Sequence, residues 1–192
     1  SLGNQIGFIY QIMNLGLTAG AGVLTSQYWG RKDSASIRKV MSMAYKISMT
    51  LAAIFTILAL TIPDILMSFY TKEPEVIEAG AQYLRIIAFT YLVSGFTMTS
   101  MSILRTVGTV KITLYMYIIS FFVNVFFNYC LIFGHFGFPQ MGIVGAAIAT
   151  LIARVVECMI IVVYVFRIDK KIGFQVQDIF QKIDREILGI YM

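Results

Sequence analysis

Long apolar runs alternate with short polar connections along the whole chain. The run Ile112 to Phe133 has no formal charge and only two side-chain amides, Asn124 and Asn128. Four apart, they share one helical face. Such a run predicts a membrane span, in which two amides are costly unless they meet partner helices, water or an ion. Four more spans follow from the same pattern. Ser1 to Gly30 is uncharged, but Asn4, Gln5, Gln11, Asn14 and several glycines predict a helix that lines a cavity rather than facing lipid. Ile47 to Tyr70 follows a basic, amphipathic approach holding Arg38, Lys39 and Lys46, and Pro63 predicts a kink or frayed end. Ile86 to Leu104 is rich in hydroxyls at Thr90, Ser94, Thr97, Thr99, Ser100 and Ser102. The last span starts near Gly142 with Gly145, Ala146, Ala147 and Ala149, small residues that let another helix approach closely, and leaves the membrane near Phe166. The fold class is all-α, a polytopic membrane bundle of about five transmembrane helices.

Charge orients these spans. Alternate connections carry Arg31, Lys32, Arg38, Lys39 and Lys46, then Arg105 and Lys111, then Arg167, Lys170, Lys171, Lys182 and Arg185. The opposite connections carry only Lys72 and Arg85, among Glu73, Glu75 and Glu78, and then His135. By the positive-inside rule residues 31–46, 105–111 and 167–192 are cytoplasmic, and the first span runs from outside to inside. The expected location is the cell (cytoplasmic) membrane. An odd number of spans on a chain that opens with Ser1 reads as a fragment lacking at least one earlier helix. After Arg167, Ile179, Phe180, Ile183, Ile187 and Tyr191 recur at helical spacing, with Asp178, Lys182, Asp184, Arg185 and Glu186 elsewhere. That pattern predicts an interfacial linker helix over 167–192, beyond a transmembrane unit over 1–166.

Composition narrows the function classes. The chain has 192 residues, 58% hydrophobic and 13% charged, with a mean hydropathy of +0.79, too apolar for one soluble domain. Its net charge of +5 belongs to loops beside anionic lipid rather than to nucleic-acid binding, since acids interleave with the bases of the tail. Cys130 and Cys158 fall inside apolar runs without metal-ligand spacing and read as packing residues. There is no G-x-S-x-G, Walker glycine loop or H-E-x-x-H, so no enzyme and no ATP-driven pump is expected within this chain.

Four ordered motifs carry a resemblance. They are Gly20 to Asp33 (G-A-G-V-L-T-S-Q-Y-W-G-R-K-D), Tyr83 to Ile86 (Y-L-R-I), Leu104 to Lys111 (L-R-T-V-G-T-V-K), and Asn124 to Thr150. The last reads N-x3-N-Y-x-L-I-F-G and then G-F-P-x-M-G-x-x-G-A-A-I-A-T. In this order and spacing the chain resembles the MATE (multidrug and toxic compound extrusion) exporters over nearly its whole length. The resemblance implies helices two to six of the first of two six-helix halves, followed by the inter-half linker. It implies a proton- or sodium-coupled antiporter that exports bulky, often cationic, small organic molecules by alternating access. It also implies that the missing first helix and second half are partners of this chain in the bilayer. Asn124 and Asn128 match fifth-helix positions of an ion-linked network; certain members carry Asp where Asn128 stands, and the network's first-helix Asp would precede Ser1. A related alternative is a flippase for lipid-linked sugar precursors, whose cavity would be expected to carry more cationic side chains.

Each candidate has two readings. Asn124 and Asn128 cannot titrate near pH 7; they either bind sodium through carbonyl oxygens or hold a protonatable neighbour, or they glue helices together. Thr150 either joins that network or bonds back to its own helix. Arg154 and Glu157, three apart, form an intramembrane ion pair that is either an interfacial structural bridge or a gating element. Tyr91, Ser94, Thr97, Met98 and Met101 either line the substrate cavity, the thioethers giving an adaptable surface, or pack the bundle. No cofactor and no metal site beyond a sodium near the two amides is expected; the coupling ion is sodium or a proton.

Overall fold

The computed structural model describes residues 3–183 and 185–191, with side chains from Gln5 onward; Asp184 and Ser1, and the side chain of Asn4, lie outside the described residues. Its helices are α1 (Gly3–Gly30), α2 (Ser34–Thr61), α3 (Pro63–Ser68), α4 (Pro74–Thr106), α5 (Lys111–Phe133), α6 (Gly142–Val163), α7 (Val176–Ile179) and α8 (Arg185–Tyr191). A π turn, Tyr164–Ile168, prolongs α6. Among the described residues there is no strand, and five helices are long and apolar enough to cross a membrane: α1, α2, α4, α5 and α6 with its π turn.

Local chemistry sets the boundaries. Asp33 starts α2 by accepting the Ser36 N–H at 3.0 Å and the Ser36 hydroxyl at 2.6 Å, bonds that hold its carboxyl below the usual carboxylate range. Because that cap lies upstream of Arg38, the basic approach and the apolar span are one helix, longer than the apolar run from Ile47. Pro63 ends it: Ile62 takes φ −131° and ψ 45°, and α3 restarts with Pro63 in its first turn. Gly134 closes α5 in the left-handed region, φ 72°, with its N–H on the Cys130 carbonyl.

The bundle centres on α4, which packs against α1, α2 and α6, while α5 packs against α6. In the most apolar stretch of α4, 56% of residues are buried, against 22% in α5, so α4 is the pivot and α5 the outer wall. Phe122 points out of that wall, as lipid or a further helix would require. Where α5 meets α6 the backbones nearly touch: a Cβ added at Gly145 would lie 2.6 Å from the Leu131 carbonyl oxygen. Cys130 is buried and Cys158 half-buried, both as free thiols.

The basic segments meet at one end of the bundle. Ser34 Oγ and Arg38 Nη1 donate to the carbonyls of Lys171 and Ile172, and Lys171 Nζ reaches the Val107 carbonyl at 3.0 Å. The tail departs from the single amphipathic helix that its spacing suggested. It runs irregularly to Gln175, forms the four-residue α7, breaks, and resumes as α8. Tertiary ties outweigh helical propensity here. Ile172 and Phe174 are buried among the main helices, and Asp178 caps Gln175 at 2.8 Å while lying 4.0 Å from Arg38. Ile187 is buried too, and the Tyr191 hydroxyl donates to the Leu17 carbonyl. Burial pushes that phenol up to about 12.

Candidate transport cavity

Glu157 is the most deeply buried charge among the described residues, 3% exposed on the inner face of α6. Two donors compensate it through three hydrogen bonds. Arg154 Nη1, one turn earlier, lies 3.0 Å from Oε1 and 2.8 Å from Oε2, and Ser120 of α5 donates to Oε1 at 2.5 Å. The pair forms as the spacing predicts, with Glu157 buried and held to a neighbouring helix and Arg154 partly exposed. A buried carboxylate needs such donors to remain charged in an apolar span.

The two amides on α5 are both half-buried and bond to each other, Asn128 Nδ2 donating to Asn124 Oδ1 at 2.8 Å. Among the described residues their side-chain hydrogen bond is to each other, and their remaining carbonyl lone pairs stay available. Thr150 bonds back to the Ala146 carbonyl at 2.9 Å. Among the described residues, no group of three His, Cys, Asp or Glu could hold a metal ion.

Three clefts converge on Arg154. The first, about 450 Å³, lies between α1, α4 and α6 and includes Gln5, Gln11, Tyr91, Ser94 and Thr150. The second, about 370 Å³, lies between α5 and α6 and joins Tyr117, Ser120, Asn124 and Thr150 to the ion pair. The third, about 220 Å³, carries Gln11, Ser94, Thr97, Met98 and Met101. The two larger volumes fall in the range of small-molecule sites. Tyr91, Ser94, Thr97, Met98 and Met101 thus all line this system, with Ser94 shared between two clefts. Tyr91 and Thr97 are nearly enclosed, and the Tyr91 hydroxyl has no hydrogen-bond partner among the described residues.

Two features escaped the sequence. Ser120 and Tyr117 line the clefts from α5 but look like ordinary residues of an apolar run. Asn14, read as cavity-lining, is instead fully buried and ties α1 to α2 and α4. It donates to the Tyr10 hydroxyl at 3.0 Å and accepts from Ser48 at 3.1 Å; Ser48 accepts from Thr99 at 2.9 Å, and Tyr10 donates to the Tyr91 carbonyl at 2.7 Å. Its neighbour Gln11 points into the clefts.

The MatE family profile matches residues 1–130. This chain belongs to the MatE family. A probable multidrug resistance protein NorM of Thermotoga maritima is 30% identical over 173 residues, covering 86% of this chain and 36% of that protein. The probable multidrug resistance protein YoeA of Bacillus subtilis is 29% identical over 96% of this chain and 40% of its own length. The MatE chain therefore spans about two fifths of the curated relatives it matches. The fold agrees with an inward-facing multidrug resistance MATE family transporter of the MOP superfamily, at a TM-score of 0.82 and 24% identity over 98% of this chain and 41% of that one. A MOP superfamily transporter from Pyrococcus furiosus, whose binding pocket is described as of reversed polarity, gives 0.80 at 24% identity over 99% of this chain and 42% of its own. This MatE chain is thus a multi-pass membrane segment whose relatives are transporters.

Proposed function

We propose that the protein containing this chain is a cation-coupled antiporter that exports bulky organic compounds, and that the clefts around Arg154 form part of its transport cavity. The observation that carries the reading is the convergence of amides, hydroxyls, thioethers and one ion pair on three neighbouring clefts that share Arg154 within a MatE bundle. Tyr91, Ser94, Thr97, Met98 and Met101 contact the substrate, and Asn124, Asn128 and Thr150 form the ion-linked wall. Neither amide carries a proton; each offers carbonyl oxygen to sodium or a hydrogen bond to a titrating group elsewhere in the protein. Residues 31–46, 105–111 and 167–192 face the cytoplasm, a reading supported by their basic charge and by the bonds joining them at one end.

A lipid-linked sugar flippase has less support. Arg154 is the single basic residue lining the three clefts among the described residues. A pyrophosphate calls for more positive charge than that.

The test is ethidium export from proteoliposomes holding the full-length protein. Asn124→Leu with Asn128→Leu should lower ion-driven export by about tenfold or more, a barrier change of about 1.4 kcal/mol. Export at the wild-type rate with unchanged ion dependence would remove the amides from coupling.

A further inference from the structure

In the first cleft Arg154 is the only formal charge among the described residues. Glu157 borders the second and third clefts, but its side chain is 4% exposed and its oxygens are taken by Arg154 and Ser120, whereas the Arg154 side chain is 38% exposed and borders all three. Only Nη1 of the guanidinium is engaged; among the described residues, Nε and Nη2 meet no acceptor. Glu157 thus holds one corner of the fork through Nη1, and the Nε–Nη2 edge remains a pair of parallel donors. Such an edge matches the two oxygens of a carboxylate or sulfonate. No other formal charge lines the clefts among the described residues, so nothing beside it competes for or repels an incoming anion except Glu157, which is already bonded.

We propose that Arg154 is a specificity-determining residue that binds an anionic group of the substrate, so that this cavity favours zwitterionic or acidic aromatic compounds over purely cationic ones. The inference rests on the transport reading of the cavity but concerns binding, and it predicts which member of a matched pair is preferred. The flat part of such a ligand lies in the first cleft, beside Tyr91 and Ser94. Its acidic group takes the free edge of Arg154. One fork suits one monoanionic group, which separates this site from a diphosphate receptor.

The test uses rhodamine 110, which bears a free carboxylate, and rhodamine 123, its methyl ester, titrated by fluorescence anisotropy into the purified full-length protein. Wild type should bind the acid at least about tenfold more tightly, about 1.4 kcal/mol. Arg154→Gln with Glu157→Gln removes both charges and leaves no orphaned carboxylate; it should abolish the preference, with acid and ester affinities within about twofold of each other. Arg154→Lys, which keeps the charge but loses the fork, should retain only part of the preference. Equal binding of acid and ester by wild type would overturn the proposal without any variant, and so would a preference that survives in the double variant. Export of both dyes is measured separately in proteoliposomes. An acid preference without any export would refute the antiporter and leave the anion site standing, whereas export with no preference would do the reverse.

Discussion

Arg154 and Glu157 illustrate how much a single side chain depends on its partners. Removing only the base strands a carboxylate among α4, α5 and α6, so Arg154→Met should destabilise the full-length protein by about 3 kcal/mol. Adding Glu157→Met should restore stability to within about 1 kcal/mol of wild type. Thermal unfolding in detergent checks both; a single variant as stable as wild type would mean that the pair holds nothing. The pairing itself was legible, because residues three apart on a helix are neighbours whatever the fold. Ser120 was not, because its bond to Glu157 spans 37 positions and depends on how α5 crosses α6. Asn14 and Gln11 show the same limit: both are amides on one polar, glycine-rich helix, and only the packing of α2 and α4 decides that the first is buried and the second faces the clefts.

At the scale of the elements, five spans follow from apolar runs alone, since a membrane core demands that length and that composition. Their ends follow from caps, so α2 reaches back to Ser34 and α4 to Pro74, beyond what hydropathy marks. The tail misleads because its apolar spacing suits one helix while Ile172 and Phe174 need to reach the bundle's core and Asp178 is spent on capping and on Arg38. The α5–α6 contact offers a clean test. Gly145→Val places a side chain where even a Cβ would sit 2.6 Å from the Leu131 carbonyl oxygen, whereas an added Cβ at Gly16 meets nothing within 4 Å. Gly145→Val should cost about 1–3 kcal/mol and loosen the wall that carries Asn124, while Gly16→Ala should be neutral or slightly stabilising. Unfolding midpoints measured side by side decide it, and equal stability of the two variants would show that the helices separate freely.

For the molecule as a whole, the chain folds as a MatE bundle whose polar chemistry gathers on one side of the central α4 and whose basic segments gather at one end. The sequence motifs made the family legible, and the positive-inside pattern anticipated which segments would meet. The clefts were legible only as a set of residue types, since their walls come from four helices far apart in sequence. The measurement that bears most directly on the account is ethidium efflux from cells expressing the full-length protein, with the proton and sodium gradients collapsed separately. Antiport predicts that efflux stops when one gradient is lost and continues when the other is, which also names the coupling ion. Efflux that persists with both gradients collapsed, or no efflux under any condition, would contradict it.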